Sequence, residues 1–153
     1  MTSITLAQIK KLRSQTGIGI MTCRRALENT GGDEEKAKKW LREKGWERAV
    51  ERAGQPVHHG LIEAYSHADG RIVSVVELLC ETDFVARTED FHHVAYELAL
   101  QVAAMKPKDK GGLLKQIYIR DTTKTVQDLI SELAGKTGEN MQIGRLARFE
   151  IGE

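Results

Sequence analysis

Three sets of side chains in this sequence have the types and spacing that chemistry uses. Cys80, Asp83 and His92 could supply a thiol nucleophile, a carboxylate and a base, the combination that activates a thiol by proton transfer. The five histidines fall as His58-His59, His67 and His92-His93, and imidazoles are common zinc ligands. Gly17-Ile18-Gly19 opens like the glycine fingerprint that cradles a nucleotide pyrophosphate. Each set has a plainer reading. Cys80 closes an apolar run, where a free thiol behaves as a small core hydrophobe. Adjacent histidines on a helix point about 100° apart, so His92 and His93 do not face one metal. His58-His59 falls in a linker. The glycine pair follows a helix instead of a strand, and Thr22 stands where the third glycine belongs, which makes it a turn. The sequence has no Gly-Lys-Ser/Thr loop, no Gly-x-Ser-x-Gly elbow and no His-Glu-x-x-His. No enzyme, no metal site and no cofactor are expected.

A fourth segment is unusual on physical grounds. Glu81-Thr82-Asp83-Phe84-Val85-Ala86-Arg87 puts a large aromatic into a polar turn, after a strand and before an independent helix start. Phe84 lies seven residues before Phe91, so its place in the core stays open. So does the alternative, an exposed anchor: a rigid aromatic on a turn held by a sheet is the form interface hot spots take.

The elements that must position these residues follow from pattern. At 153 residues, 29% charged and 41% hydrophobic, the chain has enough length for a buried interior and is not of disordered composition. No run approaches the ~20 apolar residues that cross a bilayer. Met1-Thr2-Ser3-Ile4-Thr5 lacks a basic region followed by an apolar run, so secretion is not indicated; two unpaired cysteines fit a reducing cytoplasm. The near-neutral total hides an asymmetry: residues 1–53 carry 12 basic and 7 acidic side chains, residues 54–153 carry 11 and 15. The change coincides with Ala53-Gly54-Gln55-Pro56, where helical periodicity gives way to alternation, and marks a domain boundary.

In residues 1–53, Thr5 and Gln8 have capping-box spacing, and Ile4 and Ile9 that of a hydrophobic staple, so a helix starts at Leu6 and stops at Gly17. A second runs from Ile20 to Gly31-Gly32; Asp33 caps a third that closes at Gly45; a further helix spans Trp46 to Ala53. Arg24, Arg25, Lys36, Lys38 and Lys39 make the outer face basic, which keeps a helical nucleic-acid binder in view beside simple solvation of helix surfaces.

In residues 54–153, Leu61 to His67 alternates, Asp69-Gly70 signals a hairpin, and Arg71 to Cys80 returns as a central strand buried on both faces. Thr88 caps a long helix that Pro107 ends, and Lys108 to Gly112 reads as a loop. Residues 113–123 read as a strand or a turn packed on the core. Thr125 caps a helix ending near Gly135. The final strand, Met141 to Ile151, places Met141, Ile143, Ala147, Phe149 and Ile151 on one face, interrupted by Arg145, with Arg148 and Glu150 on the other. The expected architecture is α+β: a three-helix module, then a small three-stranded antiparallel sheet with helices on one face. Such a sheet has exposed edges, which favours self-association.

Two long stretches resemble a known family. Leu12-Arg13-Ser14-Gln15-Thr16-Gly17-Ile18-Gly19-Ile20-Met21-Thr22-Cys23-Arg24-Arg25-Ala26-Leu27 is similar to the amino-terminal signature of bacterial elongation factor Ts, and Cys80 to Arg87 to its second signature. Gly32 to Ala37, Leu41 to Gly45 and Arg148-Phe149-Glu150-Ile151-Gly152 fit as well. The resemblance covers 1–107 continuously and 119–153 more loosely. It implies a guanine-nucleotide exchange factor for elongation factor Tu, with a ubiquitin-associated-type module at residues 1–53 and an α+β core and dimerisation domain at 54–153. Leu12, Arg13, Thr16, Gly17 and Gly19 match the docking signature on the GTPase. Thr82, Asp83, Phe84 and Val85 match the turn that displaces magnesium from the partner, with Asp83 as cap, and that implied role makes Phe84 an exposed wedge. No direct binding of nucleotide, nucleic acid or membrane is implied. Three departures stand out. Ile18 replaces a small residue and Thr22 an acidic one. The core is shortened between 108 and 124, which puts contacts with elongation factor Tu in question; two copies of the chain would rebuild a larger core. The shortening leaves open a protein-binding module of ubiquitin-associated type without exchange activity.

Overall fold

The computed structural model describes residues 3–153. Thr5 and Gln8 form the expected capping box at the start of α1 (Leu6–Thr16), and Gly17, at φ 68°, ends it in the left-handed conformation. α2 (Ile20–Asn29) follows, and Asp33, accepting from Lys36 N, caps α3 (Glu34–Arg52). Leu12, Cys23, Leu27 and Leu41 centre one apolar cluster, the mutual packing that helices this short require.

α3 does not close at Gly45. It continues through Trp46 to Arg52 as one helix. A Cβ on Gly45 would stand 3.1 Å from Ser131 O and 3.6 Å from the Cα of Gly135. The glycine serves a close backbone approach, not a stop. The approaching helix is α7 (Val126–Thr137), started by a capping box between Thr125 and Asp128. It runs past Gly135 to a left-handed stop at Gly138, φ 75°.

The sheet has the order β1-β2-β3, both pairs antiparallel, from β1 (His59–His67), β2 (Ile72–Cys80) and β3 (Met141–Glu150). His59 therefore belongs to a strand and only His58 to the linker. Ala68, Asp69 and Gly70 all take positive φ in the hairpin between β1 and β2. β2 is central, but it is not buried on both faces. Ser74, Val76, Leu78 and Cys80 are buried on the helix-covered face, whereas Val73, Val75, Glu77 and Leu79 are only half-buried on the other. α5 (Glu89–Met105), capped by Thr88 as expected, lies against β1 and β2.

The faces of β3 also differ from the expected alternation. Its register against β2 shifts between Val76 and Leu78, so two residues of β3, Gly144 and Arg145, face Glu77. Met141 and Ile143 therefore point into the core, while Ala147 and Phe149 emerge on the opposite, open face. A bulge inverts every position after it.

Lys108 to Gly112 is not all loop: Asp109 accepts from Gly112 N at 2.7 Å and starts α6 (Lys110–Lys115). Residues 116–125 form a turn with an isolated bridge, Ile117 to Thr125, packed on the core. Buried Glu97 of α5 anchors it, accepting from Tyr118 Oη at 2.7 Å and Arg120 Nε at 2.6 Å. Burial first, then that carboxylate, raises the Tyr118 phenol above its ordinary range.

Candidate functional site: the turn after β2 and the α1–α2 corner

Where the ladder of β2 ends, the chain turns into a single helical turn, α4 (Asp83–Ala86). Thr82 is its cap, Oγ1 accepting from Val85 N. Asp83, expected to cap, instead pairs with Arg87 at 3.0 Å. Val85 packs against the core and Ala86 is buried within it. Phe84 is 79% exposed. Phe84, whose place its own residue pattern left open, stands in solvent, whereas Phe91 is fully buried beneath the sheet.

The turn is held by residues the sequence reading did not single out. Glu139, directly after α7, accepts from Glu81 N and Thr82 N at 3.1 Å each through Oε2, and from Thr82 Oγ1 at 2.6 Å through Oε1. Glu81 accepts from Asn140 N at 2.6 Å and from Arg52 Nε at 3.0 Å. Asn140 Nδ2 donates to Gln55 O at 2.8 Å, which ties in the chain leaving α3. The Arg52 guanidinium, then the Asn140 N–H, hold the Glu81 carboxyl below the usual carboxylate range. No local signal in the sequence marks them; they follow from the register of the sheet. Pairing Cys80 with Met141 necessarily brings Glu81-Thr82 beside Glu139-Asn140.

The catalytic alternative finds no support in this geometry. Cys80 is fully buried, its Sγ donates to Thr82 O at 3.1 Å, and burial together with the Glu139 charge pushes its thiol up to about 11. A thiol so disfavoured as thiolate is a poor nucleophile. Among the described residues, Cys80 has no hydrogen bond to Asp83 or His92, and His92 lies exposed on α5. Cys23 is equally buried, and burial raises its thiol too. No group of three His, Cys, Asp or Glu side chains among the described residues could hold a metal ion. No helix among them is long and apolar enough to cross a membrane.

The second cluster of singled-out residues forms the corner between α1 and α2. Thr16 Oγ1 donates to Leu12 O at 2.8 Å and accepts from Ile18 N at 3.3 Å, which closes the corner. Gly17 sits against the side chain of Lys136 from α7, so the corner leans on the core. Arg13, Gly17 and Gly19 are exposed, together with Ile20 and Met21; Leu12 is fully buried in the module's core and presents no surface.

A family model described as Elongation factor TS matches residues 81–153. Among curated proteins, elongation factor Ts of Thermotoga petrophila is 44% identical, covering 98% of this chain and 97% of its own length. The Coprothermobacter proteolyticus protein of the same name is 38% identical over 98% of this chain and 99% of its own. That of Solidesulfovibrio magneticus is 37% identical over 100% and 99%. The first of these alignments runs over 193 positions against a chain of 153, so about forty positions of that relative have no counterpart here.

Proposed function

The chain belongs to the elongation factor Ts family of translation elongation factors, and we propose on that premise that it is a guanine-nucleotide exchange factor for elongation factor Tu. The observation that carries the reading is Phe84: a bare phenyl ring, 79% exposed, on a turn whose other members are tied down. Magnesium bridges nucleotide phosphates and protein oxygens and is the strongest local counter-charge on a bound nucleoside diphosphate. A rigid ring inserted beside that site moves the partner's elements away from the geometry that holds the ion. Thr82 and Val85 fix the ring's base. Asp83, 45% exposed at its side chain, remains able to accept hydrogen bonds from the partner. The factor binds the nucleotide-free GTPase more tightly than its GDP form, and by linkage nucleotide and factor weaken each other equally.

Docking falls to the α1–α2 corner, through Arg13, Thr16, Gly17 and Gly19 with the apolar neighbours Ile20 and Met21, while Leu12 supports them from beneath. Of the basic face, Arg24, Lys36 and Lys38 are engaged in local ion pairs with Glu28, Asp33 and Glu35. The shortening belongs between 108 and 124. There α6 and the Glu97-anchored turn close the core locally. The open sheet face, with Ile62 and Phe149 62% and 69% exposed beside Val73, Val75, Leu79 and Ala147, is where two copies pair.

The test is release of a fluorescent GDP analogue from elongation factor Tu, chased with unlabelled GDP, with and without this protein and its Phe84→Ala variant. Acceleration that is lost in the variant supports the reading. Binding without acceleration selects the second reading, a protein-binding module, which the missing forty or so positions favour.

A further inference from the structure

We propose that Glu139, which lies outside the Thr-Asp-Phe turn, is a positioning residue of the exchange reaction: its carboxylate is the template that sets where Phe84 points. The inference rests on the exchange reading above. The last ladder pair of β2 is Cys80 with Met141. Beyond it, the N–H groups of Glu81 and Thr82 find their acceptor in one oxygen of Glu139, and the Thr82 hydroxyl donates to the other. That bond fixes where the hydroxyl oxygen sits, with a lone pair toward Val85 N, the bond that starts α4. A helical turn of four residues has no stability of its own, so its direction is that of its cap. Glu139 is itself set by a rigid junction: Gly138 ends α7 at φ 75°, and Glu139 N donates to Thr137 Oγ1. The line of control runs from the α7–β3 junction through Glu139 and Thr82 to the ring.

Three variants read this out, with GDP release followed against increasing factor so that plateau rate and half-saturating concentration separate. Glu139→Ala is expected to lower the plateau about tenfold or more, since small misplacements of a reacting group cost that much, while half-saturation moves less than about threefold. Glu139→Gln keeps a carbonyl oxygen for both N–H groups and an amide that donates to the Thr82 hydroxyl, and restores the plateau to within about threefold. In a Phe84→Ala background, Glu139→Ala adds less than about twofold, because residues acting through one another are not additive. Glu139→Asp, which keeps the charge but draws the carboxylate back by one methylene, is the second route if Glu139→Ala unfolds, and is expected to lower the plateau alike. An unchanged plateau in folded Glu139→Ala, or losses from Glu139 and Phe84 that multiply, overturns the proposal while leaving the exchange reading intact. Failure of the unaltered chain to accelerate release overturns that reading and this proposal with it.

Discussion

A Cβ placed on Gly135 would stand 2.6 Å from the Cα of Gly45. The two glycines therefore bring α3 and α7 into backbone contact, and that contact joins the helices of the amino-terminal module to the core. A side chain on either one has only backbone to push against, and backbone does not yield cheaply.

Gly135→Ala is accordingly expected to lose about 1–3 kcal/mol to overpacking, although alanine in an unhindered helix would gain about 1 kcal/mol. Gly111→Ala in α6, where only the Asp109 carboxylate comes as near as 3.4 Å, serves as the comparison and should be neutral or stabilising. Urea unfolding of the two variants decides it. A Gly135→Ala protein as stable as the unaltered one would sink the close-approach argument.

The two phenylalanines predict opposite stability behaviour. Phe84→Ala should leave the unfolding midpoint within about 0.5 kcal/mol of the unaltered protein, as surface truncations do, while Phe91→Ala should cost about 3–5 kcal/mol. If Phe84→Ala melts early, the ring belongs to the fold and not to a partner.

Glu77 makes a pH-dependent contribution at the bulge. The Arg145 guanidinium, then the Arg145 N–H at 2.7 Å, hold its carboxyl down to about 2 from an ordinary 4.5. A depressed carboxyl stabilises the fold fully above 4.5, and the contribution fades as pH falls from there toward 2. Unaltered protein and Glu77→Gln should thus differ in thermal midpoint at pH 7 and converge in acid. The gap at pH 7 should be small and shrink with salt, because the Arg145 side chain is 86% exposed. A gap that widens on acidification would reverse the assignment.

For the open sheet face, sedimentation at micromolar concentration should give twice the 17.1 kDa of one chain. Phe149→Glu, which puts a charge on that face, should sediment as one chain with unaltered circular dichroism. A single-chain mass for the unaltered protein refutes the pairing.

Local chemistry was well legible in the sequence, and long-range contact was not. The caps at Thr5, Asp33, Thr88 and Thr125 are decided within four residues, and all four stand where their spacing puts them. Gly17 and Gly45 look alike in sequence; one ends a helix and the other admits a neighbour, and only the neighbour distinguishes them. Alternation puts Phe149 on the face of Ile143 because periodicity cannot register an extra residue, and the pair Gly144-Arg145 supplies one. The segment carrying Phe84 stands out from its own residues, but Glu139 does not, lying 57 positions beyond Thr82 along the chain.

That separation has a temporal side. On a chain emerging from the ribosome, β1, β2 and the residues of the turn are all synthesised before Glu139 exists. Until α7 and β3 arrive, the N–H groups of Glu81 and Thr82 have only water to bond, and the template proposed for the ring is missing. On the proposed reading, the chain acquires competence for exchange only with the closing of its last strand, so a truncated copy would carry the proposed docking corner without an aimed Phe84.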